Sequence, residues 1–410
     1  MHRRALLVSA ASAALVACSA QGPSGSQTPT PPTPLSPVAP LTDAFDVELY
    51  RAVAAGTGNQ FVSPFSIASA FTLLYPGARG QTAVEIAATF GFDPSPAAQA
   101  TQTHARVQAL TAQIGGSEFT TANAAWVERT MALRAEYARM IRDELDATIE
   151  PVDFIANQAA ALQRINAWAA HETHDRIPEI LANRDPNRRL VLTNAVYFKG
   201  KWSDPFSANA THDGDFHTAS GSVEQARLMR QVTHARYFED DGFQGAEFDY
   251  DDGEFGLAVF LPRERAGLDE FERNLTGTRL ESWLQRLADA QGARLDVTLP
   301  KIRMNADYDL VPQLRSLGLR TAFSDSADFS GITEQTSLAI SAVIHKTFLA
   351  IDEEGTEAAA VTAIDMRATA ALAPPPPPPI EFKADHPFFI VLRHKRTRTR
   401  LFLGRIATIN

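Results

Sequence analysis

The hydrophobic rhythm of the chain changes along its length. In the first half, apolar residues recur three and four apart over 44–55, 66–75 and 157–173, the spacing that gathers them on one face of a helix. Later, short dense apolar runs take over, at 190–198, 256–261, 295–299, 339–351 and 388–393. Those have the length and composition of strands. Helices first and strands later, with no second linker and no internal repeat, predict an α+β class in one large domain spanning 42–410.

One stretch obeys a period of two where its surroundings say loop. Thr356, Ala358, Ala360, Thr362, Ile364 and Met366 form one alternate set and carry no charge. Glu357, Ala359, Val361, Ala363, Asp365 and Arg367 form the other and hold every charge. That is the code of a strand with one buried face. Yet it starts at a glycine after an acidic pair and runs toward six prolines, Pro374 to Pro379. Such a run has no backbone N–H to give a sheet and forms a polyproline II rod of about 19 Å. A loop coded as a strand predicts a segment that leaves the sheet in one state and enters it in another. Its alanines would equally suit a helix, so the period alone leaves both open.

The N-terminus changes the picture of where the protein works. His2, Arg3 and Arg4 precede an apolar stretch over 5–17, of signal-peptide length and too short to span a bilayer. It ends in Leu15-Val16-Ala17-Cys18, which resembles a bacterial lipobox, and Cys18 is the only cysteine. The expected organisation is a signal peptide over 1–17, a lipid-anchored disordered tether over 18–41 rich in Ser, Gln, Thr and Pro, and the globular domain from 42. The expected location is exported, as a membrane-anchored lipoprotein or extracellular. The alternative is an ordinary cleavable signal with a chance cysteine beside it.

Composition narrows the chemistry. A 410-residue chain that is 45% hydrophobic can build its core without disulfides or metal. With 38 basic against 48 acidic residues, net −10, it lacks the basic excess that nucleic acid demands. There is no phosphate loop, Cys/His cluster or Gly-x-Ser-x-Gly elbow, so neither a cofactor nor an enzyme activity is expected. In His171-Glu172-Thr173-His174 the second histidine falls one residue short of zinc-protease spacing, and no metal is expected there. The helix-like stretch 101–114 offers only His104 and Arg106 as cations, too few for a polyanion. A monomer is expected, meeting a membrane only through its anchor.

Glu353-Glu354-Gly355-Thr356-Glu357-Ala358-Ala359-Ala360 resembles the reactive-loop hinge of inhibitory serpins. Phe61-Val62-Ser63-Pro64-Phe65-Ser66-Ile67, Asn194-Ala195-Val196-Tyr197-Phe198-Lys199-Gly200-Lys201-Trp202, Asp328-Phe329-Ser330-Gly331-Ile332, His345-Lys346 and Ala384-Asp385-His386-Pro387-Phe388-Phe389 resemble further motifs of that family, in its order. The resemblance covers about 42–410. It implies the serpin fold: three β-sheets, eight to nine helices and an exposed reactive-centre loop over about 353–380. It also implies a suicide substrate for serine proteases, which trap themselves as the acyl-enzyme when the cut loop enters the central sheet. Counted from the hinge glycine, the reactive bond is Thr369-Ala370, flanked by small residues that suit an elastase- or subtilisin-like protease. A frame two residues earlier, Arg367-Ala368, would suit a trypsin-like one. The inserted strand would run 14 residues, about 46 Å. Thr356 is expected outside the sheet in the native loop and first to enter it. Ser63, Ser66, Asn194 and His345 match the family's polar cluster under the sheet, and Trp202 its loop-entry end. The six prolines depart from the pattern, making the loop's second arm longer than usual. A non-inhibitory serpin (substrate or carrier), an exported hydrolase and an adhesive lipoprotein are the competing readings.

Overall fold

In the computed structural model, residues 43–54, 56–111, 117–145, 147–334, 338–356 and 377–409 are described. Among them the helices are α1 Asp43–Val53, α2 Pro64–Leu74, α3 Gly80–Phe90, α4 Pro96–Thr111, α5 Ala135–Leu145, α6 Gln158–Glu172, α7 Leu268–Asn274, α8 Gly277–Asp289 and α9 Val311–Ser316. The strands are β1 Gln60–Val62, β2 Glu118–Glu128, β3 Thr148–Val152, β4 Leu190–Lys201, β5 His212–His217, β6 Val223–Asp240, β7 Phe243–Asp249 and β8 Phe255–Pro262. They continue as β9 Gly292–Pro300, β10 Ile302–Asp309, β11 Ile340–Ile351, β12 Gly355–Thr356, β13 Ile380–Lys383, β14 Phe388–His394 and β15 Thr399–Ile406. The helices expected at 44–55, 66–75 and 157–173 and the strands expected at 190–198, 256–261, 295–299, 339–351 and 388–393 are present within a few residues; the period-two stretch after Thr356 lies outside the described residues.

Pairing joins the strands into two networks where three sheets were expected. One has the order β10-β11-β12-β4-β2-β3; the other runs β1-β15-β14-β8-β7-β6-β9-β13, with β5 on β6. The difference lies in β6. Its 18 residues pair with β5 and β9 up to Arg236, and from Arg236 onward with β7. One long strand thus welds two sheets that would otherwise count separately.

The six-stranded sheet is covered on both faces, so its central strands read as continuous apolar runs instead of alternating ones. On one face Trp126, Val191, Ala195, Ala342 and Ile344 pack under α6, where Trp168 meets Trp126 edge to face at 5.7 Å. On the other, Leu190, Leu192 and Val343 join the core around α2. Helix α2 is buried along all 11 residues, as a helix apolar all round must be. Pro64 opens it at a position where no N–H is needed, and the Ser63 hydroxyl caps it by accepting from Ser66 N–H at 3.3 Å.

Two central strands, β4 and β11, pair in parallel from Leu190/Ile340 to Val196/Thr347. Beyond that they part, and β12 fills the gap, antiparallel to both. This seam is where the candidate site residues collect.

Candidate functional site

At the open end of the seam sits the hinge. Gly355 pairs with Lys201, and Thr356 with both Gly200 and Ile351. Only glycine fits position 355: its φ is +156°, and a Cβ there would lie 2.0 Å from the Gly200 carbonyl oxygen. Gly200 is itself small by necessity, since a Cβ would meet the Tyr250 ring at 2.7 Å.

Thr356 is buried, with 1% of its surface exposed. Its hydroxyl hydrogen-bonds the Tyr250 hydroxyl at 2.7 Å. Tyr250 is itself sealed in, its phenol pushed well above its ordinary range by that burial. Its ring stacks on Trp202 at 4.8 Å and meets the edge of Phe198 at 4.9 Å. The expectation that Thr356 lies outside the sheet is therefore corrected. The side chain is small enough to enter between the strands, and its one polar atom finds a partner there.

The acidic residues before the glycine are tied down one by one. Trp202 donates its indole N–H to Asp352 O at 2.9 Å and its backbone N–H to Glu354 O at 2.8 Å. Phe206 N–H donates to Glu353 O at 2.8 Å. The Glu353 carboxylate accepts from Lys301 Nζ at 2.7 Å and from the Thr211 hydroxyl at 2.8 Å. Burial alone would raise that carboxyl; the hydrogen bonds, Lys301 foremost, outweigh it and hold it below the usual range. Asp352 goes the other way, raised by burial although its Oδ1 accepts from Glu354 and Gly355 N–H.

Farther down the seam lies the polar cluster. His345 is fully buried on β11 and directly opposite Asn194 on β4. Its Nε2 accepts from Ser63 N–H at 3.1 Å, so that nitrogen carries no proton. The proton sits on Nδ1 and is donated to Asn194 Oδ1 at 2.6 Å. Burial depresses the imidazole to about 3, which keeps it neutral. The Asn194 amide donates to the Ser66 hydroxyl and to Asn123 Oδ1, the latter at 2.6 Å. Ser66 Oγ meets Thr121 Oγ1 at 2.7 Å. Four elements, α2, β2, β4 and β11, are thus joined by one buried network that crosses the seam.

Ser63, Ser66, Asn194, Trp202 and His345 are all brought to the seam, and Glu353, Glu354, Gly355 and Thr356 to its open end. Glu357, Ala358, Ala359 and Ala360, both candidate reactive bonds (Thr369-Ala370 and Arg367-Ala368) and Cys18 lie outside the described residues. Sequence reasoning placed Gly200 in a motif without giving it a role, and missed Thr121, Asn123, Tyr250 and Lys301. Nothing local marks them, although the polar Thr121 and Asn123 inside a strand were a faint signal. His171 bonds Glu172 at 3.1 Å and His174 bonds Glu118 at 2.9 Å; among the described residues no group of three or more ligand-type side chains could hold a metal. Arg106 is buried and adds nothing to the surface charge of α4.

A mixed fold whose central sheet carries the first residues of a loop between two parting strands is that of the serpins, and the chain belongs to that family. The family model described as Serpin (serine protease inhibitor) matches residues 40–409. An uncharacterized serpin-like protein of Thermococcus kodakarensis is 36% identical over 366 residues, 89% of this chain and 84% of its own. Leukocyte elastase inhibitor A of Mus musculus is 34% identical, covering 89% of this chain and 97% of its own. The crystal structure of a thermophilic serpin, tengpin, in the native state superposes with a TM-score of 0.80 at 26% identity, covering 90% of this chain and 93% of that one.

Proposed function

We propose that this serpin is a single-use inhibitor of serine proteases and not a catalyst. The observation that carries the reading is the lodging of Gly355 and Thr356 between β4 and β11. A strand whose first residues already sit in the sheet has only to zip onward, and the small, charge-free set that begins with Thr356 is suited to follow. The similarity to leukocyte elastase inhibitor A supports the same reading.

The protease's serine hydroxyl would attack the Thr369 carbonyl, expel the Ala370 amine and leave an ester between protease and loop. Freed at that bond, the loop advances. If insertion continues the register of Thr356, ten steps down β4 from Gly200 to Leu190 correspond to ten along the loop, to Met366. On β11, eleven steps from Ile351 to Ile340 reach Arg367. The seam therefore takes an inserted strand ending at Met366 or Arg367, shorter than the 14 residues expected from the loop alone. Six steps down either strand would put Thr362 in register between Asn194 and His345, at the level of the polar cluster. Each new ladder bond adds on the order of 1 kcal/mol net, and burial of Ile364 and Met366 roughly 1.5–3 kcal/mol apiece. That gain drives the trap before water can hydrolyse the ester.

The small residues around Thr369 favour an elastase- or subtilisin-like target, and the Arg367 frame a trypsin-like one. Incubation with each protease followed by denaturing electrophoresis tests this. A gel-stable covalent complex is expected; a loop cut by every protease with no complex would make the protein a substrate serpin instead. Export and acylation at Cys18 belong to the same proposal, resting on the basic start, apolar core and lipobox-like ending.

A further inference from the structure

The open end of the seam carries charge on its outer face, the face away from Tyr250. Alternation along β4 fixes which side chains lie there. Val191 and Ala195 pack under α6, so Lys199 and Lys201 share their face, while Val196 and Phe198 lie in the core on the other side. Along β11, Ala342 and Ile344 also pack under α6, which puts Lys346, Phe348 and Ala350 on the outer face. Arg303 of β10 is directly opposite Ala350, and its guanidinium rests on the Phe348 ring at 5.5 Å.

Three of these cations are uncommitted. Lys199, Lys201 and Arg303 form no ion pair among the described residues, whereas Lys346 holds Asp307 at 2.8 Å and Lys301 holds Glu353 at 2.7 Å. Directly opposite Lys199 on β2 is Glu118, which bonds His174 at 2.9 Å. Asp352 and Glu354 lie on the far side of Gly355, in the turn that Trp202 ties down. Lys199 and Lys201, two residues apart on one face of a strand, stand about 7 Å apart and repel each other. An anion between the strands would relieve that repulsion.

The loop supplies the matching charge. Thr356 pairs with Gly200 and Ile351 and faces inward to Tyr250, so Glu357, one residue on, belongs to the outer set. Continued by that one residue, the register puts Glu357 between Lys199 and Ala350, in the row Glu118, Lys199, Glu357, Ala350, Arg303. Neighbouring strands stand about 4.8 Å apart, so Lys199 is beside it. The methyl of Ala350 leaves an opening through which the arginine of the next strand can reach, and Lys201 is a diagonal neighbour on the same face. Glu357 is also the only charge in the outer set before Asp365.

We propose that Lys199, Lys201 and Arg303 are positioning residues, a cationic landing site for Glu357 that sets the loop for its first step into the seam. The inference rests on the inhibitory reading above. Thr356 secures the inner face of the entering strand and these cations draw in the outer one, so both faces are in register before the uncharged residues follow. Ion pairs at an exposed site are modest and are screened by salt, which gives this one a signature.

The test is charge exchange in the full chain, read as the ratio of covalent complex to cleaved product with one protease, at low salt and at about 0.5 M salt. Glu357→Lys, Lys199→Glu and Arg303→Glu should each lower the ratio about two- to threefold at low salt, and the difference should close at high salt. Glu357→Lys combined with either cation reversal should recover most of the loss. Arg139→Glu on α5, an equal change of charge away from the seam, should leave the ratio unmoved. Near-UV dichroism checks each variant, and Arg303→Glu stands in should Lys199→Glu, on a central strand, fold poorly. Losses that salt leaves untouched, or that the double exchange does not recover, would mean that the side chains act through the fold alone and overturn the proposal. So would a loss in Arg139→Glu as large as the others. If the native chain is cut with no complex formed, the inhibitory reading fails by itself. The rate at which tryptophan fluorescence settles after the cut then reads insertion, and equal rates across the exchanges overturn the landing site.

Discussion

Thr356 is held by its small size and by the Tyr250 hydroxyl, and both would be lost on enlargement. Thr356→Arg forces a long cation into the narrow space against Tyr250 and Trp202, where burying an ion without a well-placed partner costs several kcal/mol after relaxation. Because the residue is already in the sheet, the mutation should act on the resting protein as well as on insertion. The hinge leaves the gap, and Trp202 loses its hydrogen bonds from one side. Deacylation then outruns trapping, and the ratio of covalent complex to cleaved product drops at least tenfold. Glu357→Arg is next in line but of opposite parity, and its effect should be far smaller. Equal ratios for the two mutants against the same protease would show that alternation has no part in function.

At the scale of strands, the seam between β4 and β11 is latched by a histidine that must stay neutral. Burial holds His345 at about 3 in the folded protein, below the ordinary 6.5 it regains on unfolding. Between those values the unfolded chain binds the extra proton, so the stability this ring contributes is complete above about pH 6.5 and is lost as pH falls toward 3. The slope reaches at most about 1.4 kcal/mol per pH unit. Urea midpoints measured from pH 7 to pH 4 should fall accordingly in the native protein. His345→Gln, which keeps a hydrogen-bonding group but cannot titrate, should flatten that dependence while lowering stability at pH 7. A slope unchanged by the substitution would mean that other groups govern the acid response.

For the whole molecule, the proposed inhibitory mechanism requires a resting state whose central sheet is one strand short of its most stable form. Cleavage within the loop between Gly355 and Pro374 should therefore raise the melting temperature, the reverse of what nicking does to most proteins; an equal or lower value would contradict a metastable resting state. The proposed lipid attachment is tested at the opposite end of the chain. Cys18→Ser should move the protein from the membrane fraction to the soluble one, and retention at the membrane would rule out acylation there.

Class, element types and the strand-like code of the loop were all legible in the sequence, because each is a local regularity: a period of 3.6 or 2, a glycine after acids, a set of alternate positions without charge. The hinge residues and Ser63, Ser66, Asn194 and His345 came from motifs that stand together along the chain. What the sequence could not say is which of these touch what. Tyr250 reaches Thr356 across 106 residues, Lys301 reaches Glu353 across 52, Asn194 reaches Asn123 across 71, and Ser63 reaches His345 across 282. Contacts over such distances leave no local period, and only the tertiary packing around the parted strands creates them. The same packing decided that Thr356 rests inside the sheet, that β6 welds two sheets into one, and how far down the seam a loop can travel.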